Sequence, residues 1–406
     1  MPGKTKERLF NKNFLLLITV SLITAFGYSM MASLVSSYAM DLGASLSTAG
    51  VAAGIFSLAA LVSRPFSGYA TDLFDKKTIC TLATGSIALS ILGYLAAPNI
   101  QIFLLVRVLH GVAFGVSGTA NLALVSEYIP DSKTGEGLGY FGIGQVIAQV
   151  AGPSLGVYIR DSLGYQMLYL IITLLTAGAV LILLFFSRSG RKKKEEEEAK
   201  KRMAPPARQR LSFHTLIAKE CIVYALVAGL FSAGNGIVNS FLIPLGEQRS
   251  IANISLFFSA NALVLFLMRL TIGKLIDKTK LLYIVIPSLL ISALSFAIIG
   301  YTSSFVLMMA AAVFKALGHG GGQISLQSAC IKRVSAARVG VATGTFYIGA
   351  DIGQGLGSIV GGQISDLLSY DMMFYCAAAL MVAATIAFTF YECNQMKAAK
   401  KAAVHS

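Results

Sequence analysis

The chain has 406 residues, 55% hydrophobic and only 13% charged, with a mean hydropathy of +0.71 and a formal charge of +14. A soluble domain carries roughly 25% charge, so this balance excludes a soluble globular protein. The positive excess does not indicate nucleic acid either: all 33 Lys and Arg except Arg107, Arg160, Arg249 and Lys315 lie in the two tails, a central loop, or connections on one side of an alternating helix series.

A helix needs about 20 apolar residues to cross the hydrocarbon, and such runs follow one another along the whole chain. The first six spans are predicted at 14–40, 47–71, 78–97, 100–128, 135–160 and 165–187. Lys4, Lys6, Arg8 and Lys12 imitate the basic start of a secretion signal, but the apolar run to Met40 is too long for one and reads as an uncleaved first span. From Arg188 to Ala218, Lys192–Lys194 meet Glu195–Glu198 and then Pro205-Pro206, a composition that cannot bury apolar surface. The second six spans are predicted at 219–245, 253–275, 281–301, 304–330, 338–366 and 371–392. The expected organisation is an all-α membrane protein of twelve helices: a six-helix bundle over 1–187, a cytoplasmic linker over 188–218, and a second bundle with a short tail over 219–406. Basic residues cluster at the connections 2–3, 4–5, 8–9 and 10–11, so the positive-inside rule puts both termini in the cytoplasm. The five cysteines show no C-x-x-C spacing and read as free thiols.

The two halves are copies. At a constant shift of 205, residues 135–165 and 340–370 share 13 identities in 31 positions, Gly135, Gly139, Gly144, Gln149, Gly152, Gly156 and Tyr165 among them. The same shift brings Arg64, Gly68 and Asp72 onto Arg269, Gly273 and Asp277. Parallel six-helix repeats are one of the plans from which transporters are built, with the substrate site between them near mid-membrane.

Gly68, Asp72, Lys76 and Lys77 resemble the loop signature of the major facilitator superfamily, with Leu73 and Asp75 as departures; the second copy keeps Gly273, Asp277 and Lys278. The resemblance implies a charge cluster of Arg64, Asp72, Glu127 and the basic loop, with Arg338 as a further member and Arg269, Gly273 and Asp277 as counterparts in the second half, that latches the halves in one state. In the fourth span Arg107, Gly111 and Gly115 are similar to the family's fourth-helix motif. An arginine at this depth must face the bundle interior; it either holds helix carbonyls or, as the resemblance implies, organises substrate or proton transfer. Phe114, Gly118 and Asn121 share its face. Gly144, Ala148, Gly152-Pro153 and Gly156 place a small residue at every fourth position of the fifth span, allowing close helix approach. They resemble the drug:proton antiporter signature, with Val157 in place of its last glycine; Gly349, Gly353, Gly357 and Gly361 repeat the spacing without the proline.

The second half adds buried polarity of its own. Lys315, His319 and Gln323 form one stripe of the tenth span, and Lys315 is the repeat partner of His110. Tyr347, Asp351, Gln354 and Ser358 form a polar stripe of the eleventh, and Asn235 and Asn239 lie one turn apart in the seventh. A lone carboxylate and a lone ammonium in neighbouring apolar spans are expected to compensate each other, so Asp351 and Lys315 are expected to pair, either to carry the proton cycle or as a permanent structural bridge.

No H-E-x-x-H or G-x-x-x-x-G-K-[ST] occurs, and Gly152-Pro153-Ser154-Leu155-Gly156 meets the G-x-S-x-G spacing only as part of the small-residue pattern of an apolar span, so no enzyme, metal, cofactor or direct nucleotide drive is expected. The expectation is a multi-pass, monomeric transporter in a plasma membrane of the bacterial inner-membrane type, with lipid, a small-molecule substrate and protons as its partners. It exports a small organic or amphipathic compound against protons, with proton-coupled uptake of a metabolite as the alternative.

Overall fold

The computed structural model describes residues 9–130, 133–186, 217–335 and 338–405, and these are helical almost throughout. The 188–218 linker lies outside them except for its last two residues.

The first span comes as two pieces, Lys12–Ala32 and Val35–Asp41, where one run was expected. The backbone tightens at the break: the Leu34 amide donates to the Met31 carbonyl three residues back. Spans 2 to 4 are Leu46–Leu73, Lys76–Leu95 and Ile100–Ser126. Each starts at a side chain that accepts a free amide of the first turn, Ser45 from Thr48, Asp75 from Thr78 and Asn99 from Ile102. Asp75, a departure from the loop signature, is therefore the cap of the third span. Spans 5 and 6 form one run, Thr134–Phe185, that turns at Gly164. There φ is 82° and ψ is 170°, a conformation that a β-carbon would strain. The second half holds Ile222–Gln248, Leu256–Lys278, Leu282–Tyr301, Phe305–Lys332, Val339–Leu367 and Tyr370–His405, the last running well past its expected end.

Among the described residues nine helices are long and apolar enough to cross a membrane, one of them the double-length run holding spans 5 and 6. Spans 8 and 11 complete the twelve. Span 8 is apolar over Leu256–Ile272, and span 11 is diluted by glycines and polar residues that turn toward protein rather than lipid.

The spans alternate in direction. At the end where the chain begins and finishes, Asn11 donates to the Tyr128 carbonyl at 3.0 Å, and Lys77 donates to the Phe186 carbonyl at 2.8 Å. At the opposite end, Tyr38 donates to the Tyr94 carbonyl at 3.1 Å. Packing inside the halves repeats: span 1 lies on span 5 as 7 lies on 11, 2 on 4 as 8 on 10, and 3 on 4 as 9 on 10. Between the halves, span 2 packs on 11 and span 5 on 8. Exchanging the halves maps this pair of contacts onto itself, the relation expected of a twofold repeat about the membrane normal.

Candidate functional site

The two bundles are joined tightly at the end away from the termini. Arg160, at the foot of span 5, donates to Glu247 of span 7 at 2.6 Å and to Asp161 at 2.7 Å. Ser154 and Ser259 meet across spans 5 and 8 at 3.1 Å. Along spans 2 and 11 the backbones touch: β-carbons at Gly50 and Gly54 would collide with the Ser358 and Gly355 carbonyls. Toward the termini the spans part. A β-carbon at Gly68, Gly142 or Gly344 would meet nothing within 4 Å. Helices held at one end and splayed at the other make a tapering passage between the bundles.

At the closed end of that passage lies a cavity of about 300 Å³, a size at the low end of small-molecule sites. Its wall is rich in carboxamides: Gln149 from span 5, Asn235 and Asn239 from span 7, Asn261 from span 8, Gln323 from span 10 and Gln354 from span 11. Tyr28, Ser29 and Ser33 come from the first span beside its break, and the buried Ser33 hydroxyl has no partner among the described residues. His319, Pro153 and Arg269 also line it. Several amides are held in place: Gln323 donates to the Ala228 carbonyl at 2.9 Å and to Ser232 at 2.8 Å, and Asn235 donates to Gln354 at 3.5 Å. Side chains that both donate and accept, fixed around a small volume, suit a polar solute.

Lys315 lies just behind this wall, fully buried, with its ammonium donating to Asn235 Oδ1 at 2.7 Å and Asn261 Oδ1 at 3.4 Å. The expected pairing with Asp351 is not formed. Asp351 instead faces across the bundle interface, its carboxylate 3.2 Å from Nε of Arg64. Spans 10 and 11 are neighbours in sequence, but the glycine face of span 11 packs on span 7 and its acid is turned to span 2. Gly349, Gly353 and Gly357 lie against Ala225, Gly229 and Ala233, and this rotation sets the direction of Asp351.

Of the expected charge cluster, Glu127 does meet the basic loop, while the arginines have other partners or surroundings. Glu127 pairs with Lys76 at 3.0 Å and Arg338 with Glu220 at 3.2 Å, each within its own half. Arg64 leaves the cluster for Asp351, and Arg269 lines the cavity. The side chains of Asp72 and Asp277, and Gly273, lie outside the described residues.

The fourth-span group sits apart from the cavity wall. Arg107, 3% exposed, donates from Nε to the Ala52 carbonyl at 2.8 Å and from Nη1 to the Tyr94 hydroxyl at 3.4 Å, and its guanidinium covers the Phe56 ring at 4.6 Å. Tyr94 in turn lies 2.8 Å from His110 Nδ1. Phe114 packs on Tyr28 and Phe56, Asn121 is buried outside the lining, and Tyr347 accepts from Gln327 at 3.2 Å. Gly144 lies near Leu22, Gly152 and Gly156 lie on Ser29 and Met30, and Gly361 lies near Ile237. Sequence reasoning did not single out Tyr28, Ser29, Ser33 or Asn261, nor the Gly50, Gly54, Gly355 and Gly362 contact. Serines and glycines in apolar helices carry no periodic signal strong enough to say which neighbour they meet.

Twelve spans in two like bundles around a polar, tapering cavity define a membrane transport protein, not an enzyme. The chain belongs to the Major Facilitator Superfamily, whose sequence profile matches residues 17–241 and 224–404. An MFS-type transporter of Methanocaldococcus jannaschii is 22% identical over 379 residues, 91% of this chain and 96% of that protein. The staphylopine export protein of Staphylococcus aureus is 22% identical, covering 84% of this chain and 86% of its own length. The multi-drug resistance efflux pump PmrA of Streptococcus pneumoniae is 27% identical over a shorter stretch, 30% of this chain and 31% of that one. Among solved structures, the nucleoside transporter NupG superposes with a TM-score of 0.75 at 18% identity, over 93% of this chain and 98% of that one. A POT family transporter superposes with 0.78 at 15% identity, over 95% and 97%. These likenesses to solved structures speak for the fold.

Proposed function

We propose that this protein is a secondary active transporter that works by alternating access and exports a small organic compound in exchange for protons. The observation that carries this reading is the Arg64–Asp351 bridge, which joins the two bundles at 3.2 Å near the point where spans 2 and 11 part. Asp351 is a titratable carboxylate between the bundles. Protonating it removes the charge that holds Arg64, so the proton's occupancy biases the separation of spans 2 and 11, and with it the side to which the cavity opens. Export is supported by the efflux and export proteins among the relatives. The proton role assigned to Asp351 stays with that residue, but its partner is Arg64, not Lys315.

The test is flux in proteoliposomes holding the purified full-length protein and a pH-sensitive dye. Wild-type protein is expected to show substrate-dependent proton movement opposite in direction to the substrate, and Asp351→Asn to lose it while substrate still exchanges down its own gradient. Undiminished proton movement in Asp351→Asn would refute the assignment, and co-directional movement of substrate and protons would replace export with uptake.

A further inference from the structure

The charges around the cavity do not balance, and the duplication shows why. Arg64 and Arg269 are equivalent in the two halves, four residues before Gly68 and Gly273. In the 2–11 contact Arg64 is answered by Asp351. In the equivalent 8–5 contact the position matching Asp351, at the shift of 205, is Val146. Arg269 has thus kept its charge without the matching carboxylate: it lines the cavity, and among the described residues it has no ion pair. A guanidinium stays protonated at every physiological pH. Behind the same wall, Lys315 replaces the His110 of the first half and is met by two asparagine oxygens and no acid. Among the described lining residues there is no Asp or Glu, and only Tyr28 and Phe258 are aromatic benzenoid rings.

We infer that the cavity takes a small organic anion, a compound carrying a carboxylate or phosphate together with several hydrogen-bonding groups, with Arg269 as its charge partner and the six carboxamides reading the remainder. This rests on the transport reading above and narrows its substrate. A lipophilic cation would have to enter a site with fixed positive charge, no acid and few aromatic faces, conditions under which cation recognition fails. A multi-atom polar anion gains a charge-assisted bond from Arg269 and exchanges its water for amides that donate and accept. The volume of about 300 Å³ matches a metabolite-sized solute.

The experiment uses the full-length protein in proteoliposomes, challenged in turn with glutamate, citrate and glycerol 3-phosphate, with neutral uridine, and with the cations ethidium and tetraphenylphosphonium. The expected result is proton movement driven by one or more of the anions and by neither cation. The comparison among the three anions separates carboxylate from phosphate recognition. Arg269→Gln is expected to raise KM for the transported anion about tenfold or more, as loss of one charge-assisted contact implies, with Arg269→Lys recovering much of it and the maximal rate less affected. Thermal stabilisation of the detergent-solubilised protein by the same anion, lost in Arg269→Gln, reads the site without flux. Proton movement with a cation or with uridine but with no anion overturns the anion assignment and leaves the transport reading standing. An unchanged KM and unchanged thermal stabilisation in Arg269→Gln overturn the role of Arg269, and no movement with any compound overturns both readings.

Discussion

Arg107 shows how a buried charge is made tolerable in an apolar helix bundle. Its guanidinium reaches two carbonyls of the second span and the Tyr94 hydroxyl, and it lies over Phe56, so each face of the fork has a partner. These contacts join spans 2, 3 and 4 of one bundle and leave no reach into the cavity wall. Arg107→Met is therefore expected to destabilise the detergent-solubilised protein by about 1.5–3 kcal/mol, the range for losing hydrogen bonds to a charged group. Chemical denaturation would measure it, and a variant as stable as wild type would show those contacts to be incidental. Lys315 and Arg269 present the opposite case, charges whose neighbours are amides or open volume, which is why their removal is expected to register in substrate affinity.

At the scale of the element, the contact of spans 2 and 11 decides what the pair can do. Gly50 and Gly54 on one side, and Gly355 and Gly362 on the other, bring the two backbones together where no side chain intervenes. Such close approach is how membrane helices gain packing energy without a hydrophobic driving force between them. Farther along the same helices, Gly68 and Gly344 face open space. One helix pair thus carries a closed stretch, a charge bridge and a splayed stretch in series. Gly54→Val would press its side chain on the Gly355 carbonyl, which cannot swing aside as a side chain could. The expected outcome is a folded protein whose transport rate falls at least about tenfold, since a wedge costing ~1.4 kcal/mol in one conformer already shifts its population tenfold. Equal flux in wild type and Gly54→Val would remove this contact from the transport cycle.

At the scale of the molecule, two bundles meet along two related seams, 2 with 11 and 5 with 8. If the bundles rock about the cavity, residues that meet across a seam here must separate in the other state. Ser154 and Ser259, 3.1 Å apart across the 5–8 seam, give a direct test. In a chain whose five native cysteines have been replaced, Ser154→Cys with Ser259→Cys is expected to cross-link under oxidant and to lose transport, and reductant is expected to restore both. Full transport by the cross-linked protein would rule out separation of that seam.

The number of spans, the duplication and the family were legible in the sequence. Hydrocarbon compels every backbone amide to be satisfied inside its own helix, so a span is a local property of about 20 residues, and a constant shift of 205 exposes the repeat. Polar residues at cavity depth, such as Asn235, Asn239, His319, Gln323 and Gln354, could be picked out because a polar side chain in an apolar run is conspicuous. Which charge answers which was not legible. Asp351 meets Arg64, 287 positions earlier in the chain, and not the nearer Lys315, because the glycine face of span 11 docks on span 7 and so rotates its carboxylate toward the other bundle. Helix periodicity fixes which residues share a face; only tertiary packing decides what that face is turned toward.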